Sequence, residues 1–133
     1  MKFRQHREIE EKKPTRYYSS RQEKSVAKAV GGKQTLNSGA TMFDKSDVTI
    51  GDDKLGWNLE CKTCVKDQKS FTMQKAWFDK NIDESIYMKK DHSAVVFNFG
   101  PNSKNYYVID ENTFILMKDL LRLYESGQLN IDR

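Results

Sequence analysis

The chain has 133 residues, of which 37% are hydrophobic and 32% charged, and its formal net charge is +4. This length predicts one domain, and the modest basic excess fits a polyanion-binding surface without requiring one. No run of residues approaches the roughly 20 apolar positions of a membrane span, and the charged amino terminus lacks the apolar core of a signal peptide. We therefore expect a cytoplasmic protein with no membrane partner.

Residues 1–18 predict a basic, flexible arm ahead of a single domain formed by residues 19–133. The arm is dense in charge and shows little apolar periodicity, which is typical of mobile termini. Its lysines and arginines could lie along phosphates. A solvated tail, partly neutralised by Glu8, Glu10 and Glu11, is an equally good interpretation.

The first helix is predicted over about residues 20–30. Ser20 and Glu23 have the S-x-x-E spacing of a capping box, and small apolar residues continue up to the Gly31-Gly32 stop. The Glu23 carboxylate could therefore cap the helix by accepting a hydrogen bond from the Ser20 backbone N–H. A catalytic role for the same side chain is compatible with that cap.

Three strands are predicted to follow the first helix. They cover residues 33–36, residues 47–50 and residues 57–63. The turn-rich residues 51–56 between the second and third strands favour a β-hairpin.

Alternation along the third strand separates two sets of side chains. Glu60 and Lys62 share one face, and Leu59 and Cys61 share the other, which we expect to pack into the core. The hairpin would also bring the carboxylate of Asp47 beside that of Glu60.

Two carboxylates and an amine at one strand pair are what metal-assisted phosphodiester hydrolysis requires. Oxygen ligands from Asp and Glu suit Mg²⁺, which one or two carboxylates and a substrate phosphate usually hold. Such an ion polarises the phosphoryl oxygen, and a nearby lysine can stabilise charge that develops in the transition state.

The two cysteines, Cys61 and Cys64, do not predict a zinc site or a disulfide. Residues three apart face opposite sides of a strand. Zinc would also need two more ligands, and the only histidines, His6 and His92, lie far away in the sequence.

The second half of the chain predicts a helix, a hairpin and a final helix. Ser70 could cap a helix over about residues 71–88, with an apolar stripe that we expect to be mostly core. The stripe consists of Phe71, Trp77, Phe78, Ile82, Ile86 and Tyr87. Residues 93–99 and 105–109 predict an antiparallel hairpin, and residues 111–125 predict the last helix. The order α-β-β-β-α-β-β-α indicates an α/β fold with a mixed central sheet of about five strands flanked by helices.

Asp47 followed by Glu60-Cys61-Lys62 resembles the D…(D/E)-x-K signature of the PD-(D/E)XK nuclease superfamily. Ser38-Gly39-Ala40 before the aspartate, and Glu23 on the preceding helix, resemble the order in archaeal Holliday junction resolvases and small phage-encoded resolvase-like endonucleases. The resemblance covers roughly residues 20 to 125. It departs from the superfamily pattern at Ser46, where the motif has its proline.

The resemblance implies a restriction-endonuclease-like core and a Mg²⁺- or Mn²⁺-dependent active site. Asp47 and Glu60 would hold one or two ions, helped by the backbone carbonyl of Cys61, with Glu23 as a further ligand. Lys62 would orient the attacking water or stabilise the transition state. A bacterial, archaeal or phage-infected host cell is the implied setting.

Six residues are candidate DNA contacts. Ser38 would approach the scissile phosphate, and Gly39 would allow close backbone approach, although an ordinary polar turn explains the same pair. Lys45 is a candidate phosphate contact. Gln74 would bind phosphate as a residue of the helix after E-x-K, although a solvated surface glutamine explains the same residue. Arg21 and Lys24 on the first helix complete the set.

The function that these patterns favour is a structure-selective Holliday junction resolvase that cuts four-way DNA junctions as a homodimer. Exposed apolar positions such as Leu116 or Leu123 could line the dimer interface. Three alternatives remain open: a nuclease of the same fold acting on other branched or duplex DNA, a non-catalytic nucleic-acid-binding module, and an ordinary α/β domain with three surface charges.

Overall fold

The computed structural model describes residues 13–35, 47–51 and 54–131. The elements are α1 (Thr15–Val30), β1 (Lys33–Gln34), β2 (Val48–Ile50), β3 (Trp57–Lys62), α2 (Lys75–Tyr87), β4 (His92–Phe97), β5 (Tyr106–Val108) and α3 (Glu111–Glu125). Their order is the predicted one, so the described part of the chain is α/β, with a mixed five-stranded sheet and three helices. Within the described ranges, no helix is long and apolar enough to cross a membrane.

The sheet has the strand order β1-β2-β3-β4-β5. The first three strands form an antiparallel meander, β4 runs parallel to β3, and β5 returns antiparallel to β4. Parallel neighbours need a crossover connection, and α2 provides it. The hairpin predicted between the second and third strands is therefore confirmed, with Val48 opposite Leu59.

One face of the sheet carries the apolar core. Val26 of α1 packs with Val48, Leu59, Cys61, Ala94 and Val96, and all of these residues are buried. The expectation that Leu59 and Cys61 face the core is confirmed. Each buried aliphatic side chain contributes about 1.5 to 3 kcal/mol to folding, so this cluster fixes α1 against the sheet.

The opposite face carries a polar interface with α2, which corrects the predicted apolar stripe. The buried residues of α2 are Asn81 and Ser85, whereas Ile86 is 70% exposed. Asn81 Nδ2 donates to Ala94 O at 3.0 Å, and Asn58 Nδ2 donates to Ser85 Oγ at 3.2 Å. Because this face of the sheet presents polar side chains, the helix must turn polar partners toward it.

The first helix begins earlier than the capping-box pattern predicts. It starts at Thr15, after Pro14 as N-cap, and Ser20 lies inside it. Pro14 has the extended backbone typical of an N-cap, with φ −66° and ψ 154°, and its side chain makes no capping hydrogen bond. The predicted boundary between residues 18 and 19 therefore falls within α1. Residues 1–12 of the predicted arm lie outside the described part of the chain.

The second helix begins later than predicted, at Lys75, with Gln74 rather than Ser70 as its N-cap. Phe71 thus precedes the helix. The remaining predicted bounds agree with the structure to within two residues, apart from the first strand, whose predicted end at Leu36 lies outside the described residues.

The last helix, α3, is as predicted but has no buried residue. It packs against none of the other described helices and strands. Asp110 caps it, because its Oδ1 accepts a hydrogen bond from the Thr113 N–H at 2.8 Å. None of the other described elements therefore covers the apolar face of α3.

Candidate active site

The hairpin brings the two predicted carboxylates together. Val48 lies opposite Leu59, so Asp47 and Glu60 occupy the next paired positions. The Asp47 N–H donates to Leu59 O at 3.2 Å, and Asp47 Oδ2 accepts from the Cys61 N–H at 2.8 Å. These bonds extend the strand pairing by one residue and fix the Asp47 side chain against β3.

Glu60 is the most deeply buried charge at the site. Its side chain is 2% exposed, and its Oε2 lies 3.1 Å from Lys62 Nζ and 3.5 Å from Lys80 Nζ. Within the described part of the chain, Glu60 Oε1 is buried with no hydrogen-bond partner. The two ammonium groups thus pair with Glu60 Oε2, and none of the described residues pairs with Oε1.

Lys62 is held at both its backbone and its side chain. Its Nζ lies 4.7 Å from the centroid of the Trp77 ring, which is a cation–π distance. Its backbone oxygen accepts a hydrogen bond from the buried Gln22 Nε2 at 2.8 Å. The amine beside Glu60 is therefore fixed by residues from α1 and α2.

Among the described residues, Lys62 and Lys80 form salt bridges with Glu60, and none forms one with Asp47. Burial, and then the Glu60 carboxylate, raise the pKa of Asp47 to about 7. Glu23 raises it further, whereas the Cys61 N–H and Lys80 lower it. Raised carboxyl pKa values of this kind are common at functional sites, where charged groups are gathered in a partly dry environment.

Glu23 lies half-buried on α1 and does not cap the helix, which corrects the capping interpretation. Its Oε1 accepts a hydrogen bond from Gln34 Nε2 of β1 at 3.1 Å. Burial raises the pKa of Glu23, and the Glu60 charge raises it slightly more. Across residues 13–35, 47–51 and 54–131, no three His, Cys, Asp or Glu residues are grouped closely enough to hold a metal ion. Glu23 therefore stands near the carboxylate pair without completing a three-residue ligand set.

The donor set at the hairpin fits a hard divalent cation. Among the described residues, Glu60 Oε1 is a buried carboxylate oxygen with no hydrogen-bond partner, and burial and the Glu60 charge raise the pKa of Asp47. Mg²⁺ is usually bound through one or two carboxylates and keeps its other positions for water and phosphate. Cys61 does not enter this set through its sulfur, because its side chain packs in the core and burial raises the pKa of its thiol.

The predicted DNA contacts divide into two groups. Ser38, Gly39 and Lys45 lie outside the described residues. Arg21, Lys24 and Gln74 are exposed. Arg21 already donates from Nη1 to the Tyr17 hydroxyl at 2.9 Å and from Nη2 to Asn102 Oδ1 at 2.7 Å.

Sequence reasoning missed the residues that support the site from the helices. These are Gln22 of α1, and Trp77 and Lys80 of α2. The sequence does contain a feature that points to Trp77 and Lys80. Polar residues recur at helical spacing at Asn81, Glu84 and Ser85, on the turns next to Lys80. That pattern indicates a polar buried face, and the apolar residues beside it obscured the signal.

Comparisons with known proteins do not assign the chain to a family. Neither protein-family models, nor curated proteins, nor solved structures give a match. The functional interpretation therefore depends on the geometry of Asp47, Glu60 and Lys62 and on the motif that they form.

Proposed function

We propose that the chain is a Mg²⁺- or Mn²⁺-dependent DNA endonuclease with a restriction-endonuclease-like core, most specifically a Holliday junction resolvase. The observation that carries the proposal is the buried Glu60 carboxylate. It is paired with Lys62 at 3.1 Å and stands across the hairpin from Asp47. Burying a carboxylate costs free energy that even a salt bridge often fails to recover, so stability alone does not account for this site, and phosphodiester hydrolysis would account for it.

Asp47, Glu60 and the backbone carbonyl of Cys61 would hold the ion. When bound, a divalent ion polarises the phosphoryl oxygen and lowers the pKa of water. Lys62 places an ammonium group beside Glu60, where it can orient the attacking water and stabilise charge on the phosphoryl oxygens. Hydrolysis that breaks the bond to the 3′ oxygen leaves a 5′ phosphate.

Lys80 and Gln22 are positioning residues in this proposal. Lys80 shares Glu60 Oε2 with Lys62, so the carboxylate keeps a cationic partner when the Lys62 amine moves toward the phosphate. Gln22 holds the Lys62 backbone through its carbonyl oxygen. Both keep the end of β3 in place while Lys62 acts.

The test is cleavage of an end-labelled four-way junction and of its matched linear duplex, in Mg²⁺, in Mn²⁺ and in EDTA. Asp47→Asn and Lys62→Ala are expected to bind DNA without cutting it. Asp79→Asn is the matched control, because Asp79 is an exposed carboxylate of α2 that pairs with Lys75. Metal-dependent paired nicks confined to the junction, absent from the two site variants and retained in the control, are the expected result.

The other outcomes separate the alternatives. Equal cutting of the linear duplex would keep the nuclease and discard the resolvase specificity. Tight binding with no cutting in any metal would indicate a non-catalytic nucleic-acid-binding module. Normal cleavage by Asp47→Asn would overturn the assignment of the active site.

Junction resolution needs two cuts, and α3 offers a surface for pairing two copies. Its exposed apolar face has the three-and-four spacing of a two-helix seam at Phe114, Met117, Leu121 and Tyr124. Leu116 and Leu123, named from the sequence as interface candidates, are also exposed. A seam of this kind is self-complementary, so a two-fold dimer buries the same residues from both chains.

A further inference from the structure

Five aromatic rings form a continuous cluster at the carboxyl ends of the parallel strands β3 and β4. We name this cluster the aromatic platform; it consists of Phe71, Trp77, Phe97, Phe99 and Tyr106. Phe97 lies at its centre, with its ring centroid 5.2 Å from Phe71, 5.4 Å from Phe99 and 5.7 Å from Tyr106. Phe71 continues the cluster to Trp77 at 6.1 Å.

The platform is separate from the apolar core and reaches the surface. The core cluster that α1 covers contains none of the five rings. Tyr106 is 44% exposed, and the other four rings are half-buried. Tyr106 belongs to β5, the last strand of the sheet order, so this side of the platform faces solvent. Rings that pack against one another, in tilted, T-shaped and stacked pairs, but are left partly open suit contact with another flat, apolar surface.

Lysine side chains lie at both ends of the platform. Lys62 Nζ is 4.7 Å from the Trp77 ring, and Lys104 Nζ is 5.6 Å from the Tyr106 ring. Lys62 also pairs with Glu60 at 3.1 Å. The platform is therefore continuous with the candidate active site through one residue, and it is framed by positive charge.

This combination matches one class of ligand. Aromatic side chains flanked by cationic groups bind single-stranded nucleic acid, because bases stack on the rings while phosphates meet the charges. An apolar peptide would gain from the rings but not from the two amines. The charge complementarity thus favours a polyanion that also carries flat, apolar groups.

We propose that the aromatic platform stacks unpaired nucleobases of a DNA strand whose phosphates lie along Lys62 and Lys104. The proposal rests on the proposed endonuclease function and deepens it by naming the substrate class. The preferred substrate is DNA with unstacked bases next to the scissile phosphate, as in a flap, a frayed end or an opened branch point. Fully stacked duplex offers the platform no base.

The test uses Trp77 as a reporter inside the platform. The chain has two tryptophans, so Trp57→Phe leaves Trp77 as the only one. Its fluorescence is followed while single-stranded oligodeoxynucleotide is added in EDTA. A matched abasic oligomer, of equal length and charge, measures the contribution of the phosphates alone. An uncharged peptide containing leucine and tyrosine measures the contribution of apolar contact alone.

Three variants in the Trp57→Phe background complete the design. Tyr106→Ala removes a platform ring, and Tyr106→Phe retains the ring without the hydroxyl. Tyr107→Ala is the matched control, because Tyr107 is 41% exposed but points to the other side of the same strand. We expect base-containing DNA to quench Trp77, and we expect Tyr106→Ala to weaken binding by about fivefold or more. Tyr106→Phe and Tyr107→Ala should bind like the parent.

Three results would overturn the proposal: equal quenching and affinity with the abasic oligomer, unchanged affinity in Tyr106→Ala, or quenching by the peptide and not by DNA. Because EDTA prevents metal-dependent cleavage, the measurement is independent of catalysis. Quenching in a protein that never cuts DNA would leave the platform standing and the endonuclease disproved. Cleavage of DNA without quenching of Trp77 would overturn the platform and leave the endonuclease standing.

Discussion

At the scale of single residues, Asp47 couples the proposed chemistry to the stability of the fold. Burial and the Glu60 carboxylate raise its pKa to about 7, with Glu23 adding to them and with the Cys61 N–H and Lys80 opposing. The unfolded chain has no such environment, so the same carboxyl titrates near 3.9 there. Between about pH 4 and 7 the unfolded chain has released this proton and the folded protein retains it, so stability falls as the pH rises.

We predict that Asp47→Asn stabilises the metal-free protein at pH 8. The amide retains an oxygen that can accept from the Cys61 N–H and avoids the cost of an ionised carboxylate, so the free energy of unfolding should rise by on the order of 2 to 4 kcal/mol. At about pH 3, below the unfolded-state pKa, the carboxyl is mostly protonated in both states, and the gain should largely vanish. Urea denaturation in EDTA at both pH values measures this, with Asp79→Asn as the exposed control. A loss of stability at pH 8, or an equal change at both pH values, would contradict the origin of the shift.

The two lysines that pair with Glu60 should have different effects when removed. Lys62→Met should lower the rate of the cleavage step by roughly 10²- to 10³-fold, because a preorganised charge at the transition state is lost. Lys80→Met should act mainly on stability, costing about 1 to 3 kcal/mol, because Glu60 loses one of its two partners. Single-turnover cleavage and denaturation measured on both variants separate the roles. Equal losses of rate would make Lys80 as important to catalysis as Lys62.

At the scale of elements, α2 shows how a sheet face overrides the pattern of a helix. The stripe from Phe78 through Ile82 to Ile86 has ordinary helical spacing, yet Ile86 is largely exposed and Asn81 is buried. The reason lies in β3, whose inner positions on this side are Asn58 and Glu60. Buried amides and carboxylates need polar partners, so the helix presents its polar side.

We predict that Asn81→Leu destabilises the protein although it adds an apolar residue to an apparently apolar helix. The Ala94 carbonyl would lose its 3.0 Å hydrogen bond from Asn81 Nδ2 and stay buried, which costs about 1 to 3 kcal/mol. Ile86→Asn, the reverse exchange five residues along at an exposed position, should change stability by less than about 0.5 kcal/mol. Chemical denaturation of both variants provides the comparison. If Asn81→Leu were as stable as the parent protein, this face of α2 would not need polar residues, and the predicted apolar stripe would stand.

The sequence predicts local features well and long-range support poorly. Alternation in β3 identifies two faces, and the short turn before it sets the Asp47 and Glu60 register, because both depend on residues close in the chain. Lys80 and Gln22 reach the site only after α1 and α2 dock on opposite faces of the sheet. No local pattern encodes that docking. The boundary of α1 was misplaced for a related reason, since Pro14 could start the helix as well as Ser20 and the arm lacked apolar periodicity to decide.

At the scale of the whole molecule, α3 is the element whose apolar face packs against none of the other described elements. Its seam residues Phe114, Met117, Leu121 and Tyr124 are about half exposed, and none of the described elements covers them. Large contiguous apolar surfaces on soluble proteins generally mark an interaction site. A second copy satisfies the geometry, because two identical seams can pack knobs into holes around a two-fold axis.

We predict that the protein is a dimer in solution and that Leu121→Arg makes it a monomer. The substitution removes, from each chain, a leucine that the dimer interface would bury. At about 1.5 to 3 kcal/mol per side chain, this weakens the dimer by roughly 10²- to 10⁴-fold. Asp119→Arg places the same side chain on the polar side of α3 and should leave the dimer intact. Sedimentation equilibrium over a range of protein concentrations gives the mass of each form.

The monomeric variant should also show that single nicks do not need the dimer, whereas simultaneous paired nicks do. The proposed active-site residues Asp47, Glu60 and Lys62 all belong to one chain, so Leu121→Arg should still nick a branched substrate, but the two nicks should become independent rather than simultaneous. A supercoiled cruciform plasmid reports this directly, because paired cuts give linear product and single cuts give an open circle. A parent protein with the mass of one chain would overturn the dimer through α3. Linear product from a proven monomer would overturn the dependence of paired cutting on that dimer.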